Sequence, residues 1–327
     1  MQRRAFITLF AGAAASWPLA ARGQLSTERP LIAYLAGGKQ AVVSDLVNAF
    51  RDGLRELGHE EGRNVHIVYR FAEGRAERLP DLAGELVRLN PAIILTGAVD
   101  TAVAAKNVTT SIPIVCPALA DAVHLGLIAS EARPGGNVTG ITPYVAGLPV
   151  KQLELAREVV PGAHKIGLIG NMNDPKATPQ RDELLNAGRN LGMEFIVPEV
   201  RSPDDIGAAM QMLARERVDV IVVLQTTMIL SERGPIAVLA AASRLPTVFG
   251  YRQHVDAGGL ISYGVDLRWC FYHAATFVHK ILNGANPGDL PVEFPTKLQM
   301  AVNLKAAKGL GLIIPPTLLA RADDVIE

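Results

Sequence analysis

The residues able to do chemistry lie scattered along this sequence. Its seven histidines are His59, His66, His124, His164, His254, His273 and His279. Only His273 and His279 are close, and a spacing of six does not stack two rings on one helical face as three or four would, so no metal site is predicted. Serine, histidine and aspartate all occur, but no Gly-x-Ser-x-Gly elbow or Cys-His pairing marks a nucleophile. Gly37-Gly38-Lys39 follows an apolar run, yet it lacks the third glycine of a dinucleotide fingerprint and the spacing of a P-loop. No cofactor is expected. Cys116 and Cys270, far apart, read as two small buried thiols, with one bridge as the alternative.

What remains is chemistry suited to holding a molecule. Asp121 can receive an ammonium group through a charge-assisted hydrogen bond, or else cap a helix beginning near it. Thr101 and Thr226 share that ambiguity, and the amides at the helix starts they mark would suit a carboxylate. Tyr144, Phe249, Tyr251 and Tyr263 stand out in a chain poor in aromatics. Their rings can wall an apolar ligand, or pack the waist of the fold.

The elements that must position these residues alternate short β-branched runs with helical segments, the pattern of parallel sheets covered by helices. Leu31–Leu35 reads as a strand ending in Ala36-Gly37-Gly38, and Val43–Leu57 as a helix stopped by Gly58. Strands follow at Val65–Phe71, Ala92–Thr96 and Ile114–Cys116, with a helix at Glu77–Leu89. The same order then returns: strands at Lys165–Ile169, Met193–Val197 and Val218–Leu224, helices at 175–190 and Asp204–Arg215, and a last strand at Thr247–Phe249. This duplication predicts two doubly wound lobes. In open parallel sheets the ligand sits beyond the carboxyl ends of the strands. The expected contacts are therefore Ala36, Gly37, Gly97, Ala98, Thr101, Ala118, Asp121, Asn171, Asn173, Gln225 and Thr226, with Tyr144, Tyr251 and Tyr263 from the segments joining the lobes.

The first residues read differently. Arg3 and Arg4, an apolar run over Ala5–Ala15 and the small residues Ala21 and Gly23 have the anatomy of a secretory signal covering 1–23, with a twin-arginine variant as an option. A spanning helix needs about 20 apolar residues, more than this run offers. The 32 basic residues are matched by 32 acidic ones, which gives no footprint for a nucleic-acid partner.

Several longer stretches carry a resemblance. Phe50-Arg51-Asp52-Gly53-Leu54-Arg55-Glu56-Leu57-Gly58 with Glu61-Gly62-Arg63-Asn64, then Ala132-Arg133-Pro134-Gly135-Gly136-Asn137-Val138-Thr139-Gly140, Ala257-Gly258-Gly259-Leu260-Ile261-Ser262-Tyr263-Gly264 and Leu290-Pro291-Val292-Glu293 are similar to the tryptophan/tyrosine-type ABC transporter substrate-binding protein family. The tail, from Leu304-Lys305 through Ile314-Pro315-Pro316 to Arg321-Ala322-Asp323, is similar too. The resemblance implies an α/β fold of type I periplasmic-binding-protein kind, with two Rossmann-like lobes of parallel sheets joined by a three-crossover hinge. Lobe 1 is expected over 27–142 with 251–295, and lobe 2 over 143–250 with 296–327, the tail being able to pack on either. The implied function is capture of a small molecule, an aromatic amino acid or a relative of one, by hinge closure in the periplasm. Its implied partner is an inner-membrane ABC permease with a separate ATPase subunit, and the chain is expected to be a monomer. The loops that would touch ligand, such as Ala36–Gln40 and Asn171–Lys176, are the least family-like. A periplasmic enzyme on the same fold is the competing reading.

Overall fold

The computed structural model describes residues 29–143 and 145–327, so the expected signal segment lies outside the described residues. In the first lobe β1 (Leu31–Ala36), α1 (Gln40–Glu56), β2 (His66–Phe71), α2 (Leu79–Arg88), β3 (Ile93–Thr96), α3 (Val99–Val108), β4 (Ile114–Cys116) and β5 (Val138–Gly140) follow in turn. Their strands form one parallel sheet of order β2-β1-β3-β4-β5. The alternation of β1 explains its two coats. Ile32, Tyr34 and Ala36 face the layer containing Leu46, Phe50 and Leu54 of α1. Ala33 and Leu35 face Leu82 and Leu86 of α2 and Ala102 and Ala105 of α3. Period two on the strand meets the wider helical stripe of α1, where Leu46, Ala49, Phe50, Gly53 and Leu54 are buried.

The second lobe repeats the scheme with α4 (Leu148–Val159), β6 (Lys165–Ile169), α5 (Ala177–Asn190), β7 (Glu194–Ile196), α6 (Asp205–Arg215) and β8 (Val220–Val223). It continues through α7 (Thr227–Ser231), α8 (Arg233–Ala242), β9 (Thr247–Phe249), α9 (Arg252–Asp256) and β10 (Ile261–Val265). Its sheet runs β12-β11-β10-β9-β8-β6-β7, in which the last strands are β11 (Leu298–Asn303) and β12 (Asp324–Ile326). All neighbours are parallel except β10 and β11. Between β10 and β11 the chain returns to the first lobe as α10 (Leu267–Leu282), whose Phe271, Phe277 and Val278 complete the cluster around Ile32 and Phe50. After β11 come the short helices α11 (Leu304–Leu310) and α12 (Pro316–Leu319).

The chain thus passes between lobes three times: after β5, at Asp266 and again before β11. Asp266 also caps α10, accepting the amides of Arg268 and Trp269. The segment 251–295, expected wholly in lobe 1, divides at this residue. Strand β10 pairs with β9 through Ile261↔Val248 and with β11 through Ile261↔Val302, which puts it in the second sheet. Sequence proximity to α10 hid this, because sheet membership depends on partners remote in the chain. No helix among the described residues is long and apolar enough to cross a membrane.

Candidate functional site

The carboxyl ends of the two sheets face one another, and their loops enclose a cavity of about 50 Å³, room for a few water molecules. The first lobe supplies Ala36, Gly37 and Gly38 after β1, Gly97 and Ala98 after β3, Ala118 after β4, and Leu267 and Phe271 from α10. The second supplies Lys176, Thr226, Thr227, Leu230 and Ser231, and Tyr251 reaches the cavity from the turn after β9. Small residues let the lobes close tightly. A Cβ on Gly38 would stand 2.9 Å from Ser231 Oγ, and one on Gly37 would stand 3.1 Å from Asp100 Oδ2 and 3.6 Å from Thr227 Cγ2. Outside this contact Lys39 Nζ meets Glu232 Oε1 at 3.2 Å, and Arg233 Nη2 donates to the Val42 carbonyl at 3.1 Å.

One end of the cleft is charged. Asp174 and Lys176 are buried, with Lys176 Nζ 3.6 Å from Asp174 Oδ2 and 3.4 Å from Thr227 Oγ1. Asp174 is fixed by accepting the amides of Lys176 and Thr227, both at 3.0 Å. Across the cleft Asp100, partly exposed, accepts the Thr101 amide at 2.9 Å. Burial raises the Asp100 carboxyl pKa; the Lys176 ammonium opposes that rise and the Asp174 carboxylate adds to it. Burial alone would lower Lys176, but Asp174, Tyr251 and Asp100 together hold it above the ordinary lysine value. The Tyr251 hydroxyl is pushed up to about 12, chiefly by burial. Two carboxylates thus face one ammonium, so the cluster has an acceptor in excess and is suited to receive a cation.

The other end is apolar. Val43 and Leu46 of α1, Leu267 and Phe271 of α10, Leu230 of α7 and the ring of Tyr34 wall it. A molecule filling both ends would present an ammonium to Asp100, a carboxylate to Lys176 and an apolar body to Phe271 and its neighbours.

Of the residues expected to touch a ligand, Ala36, Gly37, Gly97, Ala98, Ala118, Thr226 and Tyr251 line the cavity. Tyr144 lies outside the described residues. The others stand behind the wall or away from it. The Thr101 hydroxyl is turned back on the Ala98 backbone, donating to its carbonyl at 2.6 Å. Gln225 is buried, its side-chain amide donating to the Gly250 carbonyl and its backbone N–H donating to Gln180 Oε1. Asn171 Oδ1 accepts the amide of exposed Asn173, shaping their turn. Tyr263 packs on the core of the second lobe, and its carbonyl accepts from Gln152. The expectation for Asp121 is corrected in both forms. No helix follows β4; Asp121 adopts φ 54°, its carbonyl accepts the Leu125 amide in a turn, and its side chain is exposed away from the cleft. The carboxylate next to the cavity wall is Asp100, whose Oδ2 lies 3.1 Å from the Cβ position of the lining residue Gly37.

Asp100, Asp174, Lys176, Tyr34 and Phe271 are the site residues that sequence reasoning passed over. Asp100 lies between the expected contacts Ala98 and Thr101, and Asp174 and Lys176 lie in the Asn171–Lys176 loop expected to touch ligand, so position was a usable signal for all three. The histidines stay in local structure: His59 Nε2 lies 2.9 Å from His279 Nδ1, His273 pairs with Glu293, and His254 stacks on Phe249. Both cysteines are free and buried, one on β4 and one on α10.

Two doubly wound lobes, three crossovers and a cleft between sheet ends define a type I periplasmic binding protein, a class to which solved solute-binding proteins such as a leucine binding protein from Thermotoga maritima also conform, at TM-score 0.56 and 14% identity over 77% of this chain and 82% of that one. The model of the ABC transporter substrate binding protein family matches residues 41–326, and the chain belongs to that family. A tyrosine-binding protein of Clostridioides difficile (strain R20291) is 27% identical over 80% of this chain and 75% of its own length. A conserved domain protein from Vibrio cholerae superposes with a TM-score of 0.86 at 28% identity, covering 91% of this chain and 100% of that one. A Streptococcus pneumonia ABC domain in complex with L-Trp gives 0.85 at 24% identity, with the same coverage. Proteins of this family capture small solutes for ABC permeases driven by their ATPase, outside the cytoplasm.

Proposed function

We propose that the chain binds an L-α-amino acid with an aromatic or large apolar side chain, closing its lobes over it and presenting the closed form to an ABC permease as a monomer. The observation that carries this reading is one small cleft lined by Lys176, with Asp174 and Asp100 beside it, and by an apolar wall of Phe271, Val43 and Leu46. The ligand ammonium meets Asp100, its carboxylate meets Lys176, and its side chain lies against the apolar wall. The relative that binds tyrosine and the fold neighbour holding L-Trp support this ligand class. The present cavity is too small for such a molecule, so the lobes must part about the three crossovers to admit it. A ligand touching both lobes then favours closure by its differential affinity.

The chain acts by holding its ligand rather than converting it. Export through residues 1–23 would place it in the periplasm, facing the permease. A thermal-shift and calorimetric screen of the mature chain tests the reading. L-Tryptophan or L-tyrosine at 100 times its Kd is expected to stabilise the fold by about 2.7 kcal/mol, while the D-enantiomers bind far more weakly. Stabilisation by sugars alone, with none from any amino acid, would overturn it.

A further inference from the structure

Tyr34 has a feature that no packing role explains. Its side chain is 1% exposed, on the interior strand β1 of the first sheet, and its ring meets those of Tyr69 and Phe71 edge-on. Yet its hydroxyl has no hydrogen-bond partner among the described residues, while the ring lines the ligand cavity. Buried hydroxyls are ordinarily bonded, because one cut off from water and left unpaired is costly. A phenylalanine would fill the same space among Tyr69 and Phe71 without that cost. The surroundings also leave room beside the hydroxyl. Residue 97 is a glycine, and a Cβ there would stand 3.4 Å from the hydroxyl oxygen and 3.5 Å from Ala36 Cα, which is ordinary contact and would screen the group.

Resting on the amino-acid reading above, we infer that Tyr34 is a specificity-determining residue: its hydroxyl, on the floor of the cleft beside Gly97, hydrogen bonds to a polar atom at the far end of the ligand side chain. The ligands favoured are then amino acids whose apolar side chain ends in a hydrogen-bonding group, of the phenol or indole class, over pure hydrocarbons such as phenylalanine or leucine. A hydroxyl both donates and accepts, so it serves an indole N–H or a phenol O–H equally. With phenylalanine bound, the Tyr34 hydroxyl stays unpaired; with a phenol or indole it is satisfied. Sites built to bond a polar substrate group discriminate strongly against the analogue lacking it.

The test is calorimetry of the wild-type chain, Tyr34→Phe and Gly97→Ala with L-tyrosine, L-tryptophan, L-phenylalanine and L-leucine. The wild type is expected to bind the better of tyrosine and tryptophan roughly 10- to 100-fold tighter than phenylalanine. In Tyr34→Phe that ratio falls to about 3-fold or less, phenylalanine affinity holds or improves, and the ligand-free melting temperature does not drop, since an unpaired hydroxyl has been removed. Gly97→Ala, which covers the hydroxyl but keeps it, lowers the same ratio. Phenylalanine binding as tightly as tyrosine and tryptophan to the wild type, or an unchanged ratio in a folded Tyr34→Phe, overturns the assignment and leaves the amino-acid reading standing. Failure of all four ligands to bind the wild type overturns both.

Discussion

At the scale of single residues, Asp100 has the most to reveal. Burial disfavours its negative charge, Lys176 opposes that and Asp174 adds to it, so a ligand cation placed beside it would favour the charge. Because its folded-state pKa is raised, the ligand-free protein holds this proton to higher pH than the unfolded chain does. Stability therefore falls as pH rises through the window above the ordinary carboxylate value of 3.8. An ammonium ligand reverses the preference, so binding tightens as pH rises through the same window. Asp100→Asn is expected to weaken amino-acid binding about tenfold or more and to flatten that pH dependence. The ligand-free melting temperature should hold or rise, because a carboxyl whose charge burial disfavours has gone. Calorimetry between pH 4 and 8, paired with melting curves, checks both halves. Asp100 is visible in the sequence only as the neighbour of Thr101 at a helix start, and Tyr34 only as one position of the strand Leu31–Leu35. Which carboxylate faces another lobe, or which hydroxyl lacks a partner, is set by neighbours on other elements, Asp174 and Lys176 for Asp100 and Tyr69, Phe71 and Gly97 for Tyr34.

At the scale of elements, the helices and strands were legible because they obey local rules. Val43, Leu46, Val47, Phe50 and Leu54 recur at helical spacing, and α1 buries that face. The segment after β4 was less legible. Its strand end suggested another helix, but the chain turns through Asp121 and Gly126 in left-handed conformations. The packing of α1 on α10 was not legible at all, since nothing local joins residue 53 to residue 272. A Cβ on Gly53 would lie 2.3 Å from the Tyr272 carbonyl oxygen, against rigid backbone. Gly53→Ala gains about 0.5–1 kcal/mol of helix propensity, yet forcing the two backbones apart costs typically 1–3 kcal/mol. The net result is a lower melting temperature, measurable by circular dichroism. An unchanged or higher value would show that α10 shifts without loss.

At the scale of the whole molecule, the duplication of strand and helix order announced two lobes, but not the assignment of β10 to the second. Lobe closure is buttressed outside the cleft by Lys39 and Glu232, whose side chains are 49% and 12% exposed. Such a pair contributes about 0.2–1 kcal/mol and is weakened by salt. Lys39→Ala should therefore weaken ligand binding by about 2- to 5-fold at low ionic strength, with a larger radius of gyration in the ligand-free state. Both differences should shrink toward zero at about 1 M salt, where the Debye length is near 3 Å. An effect independent of salt would place the contribution of Lys39 in packing rather than charge.

The return of α10 to the first lobe also bears on timing. Until residues 267–282 have emerged from the ribosome, Ile32, Tyr34, Phe50 and Leu54 lack Phe271, Phe277 and Val278, and the face between β1 and α1 stays uncovered. The lobe that begins first in synthesis thus cannot finish until most of its partner has been made. Its apolar face stays incomplete throughout that interval, the kind of exposed surface that makes partly folded chains prone to aggregate.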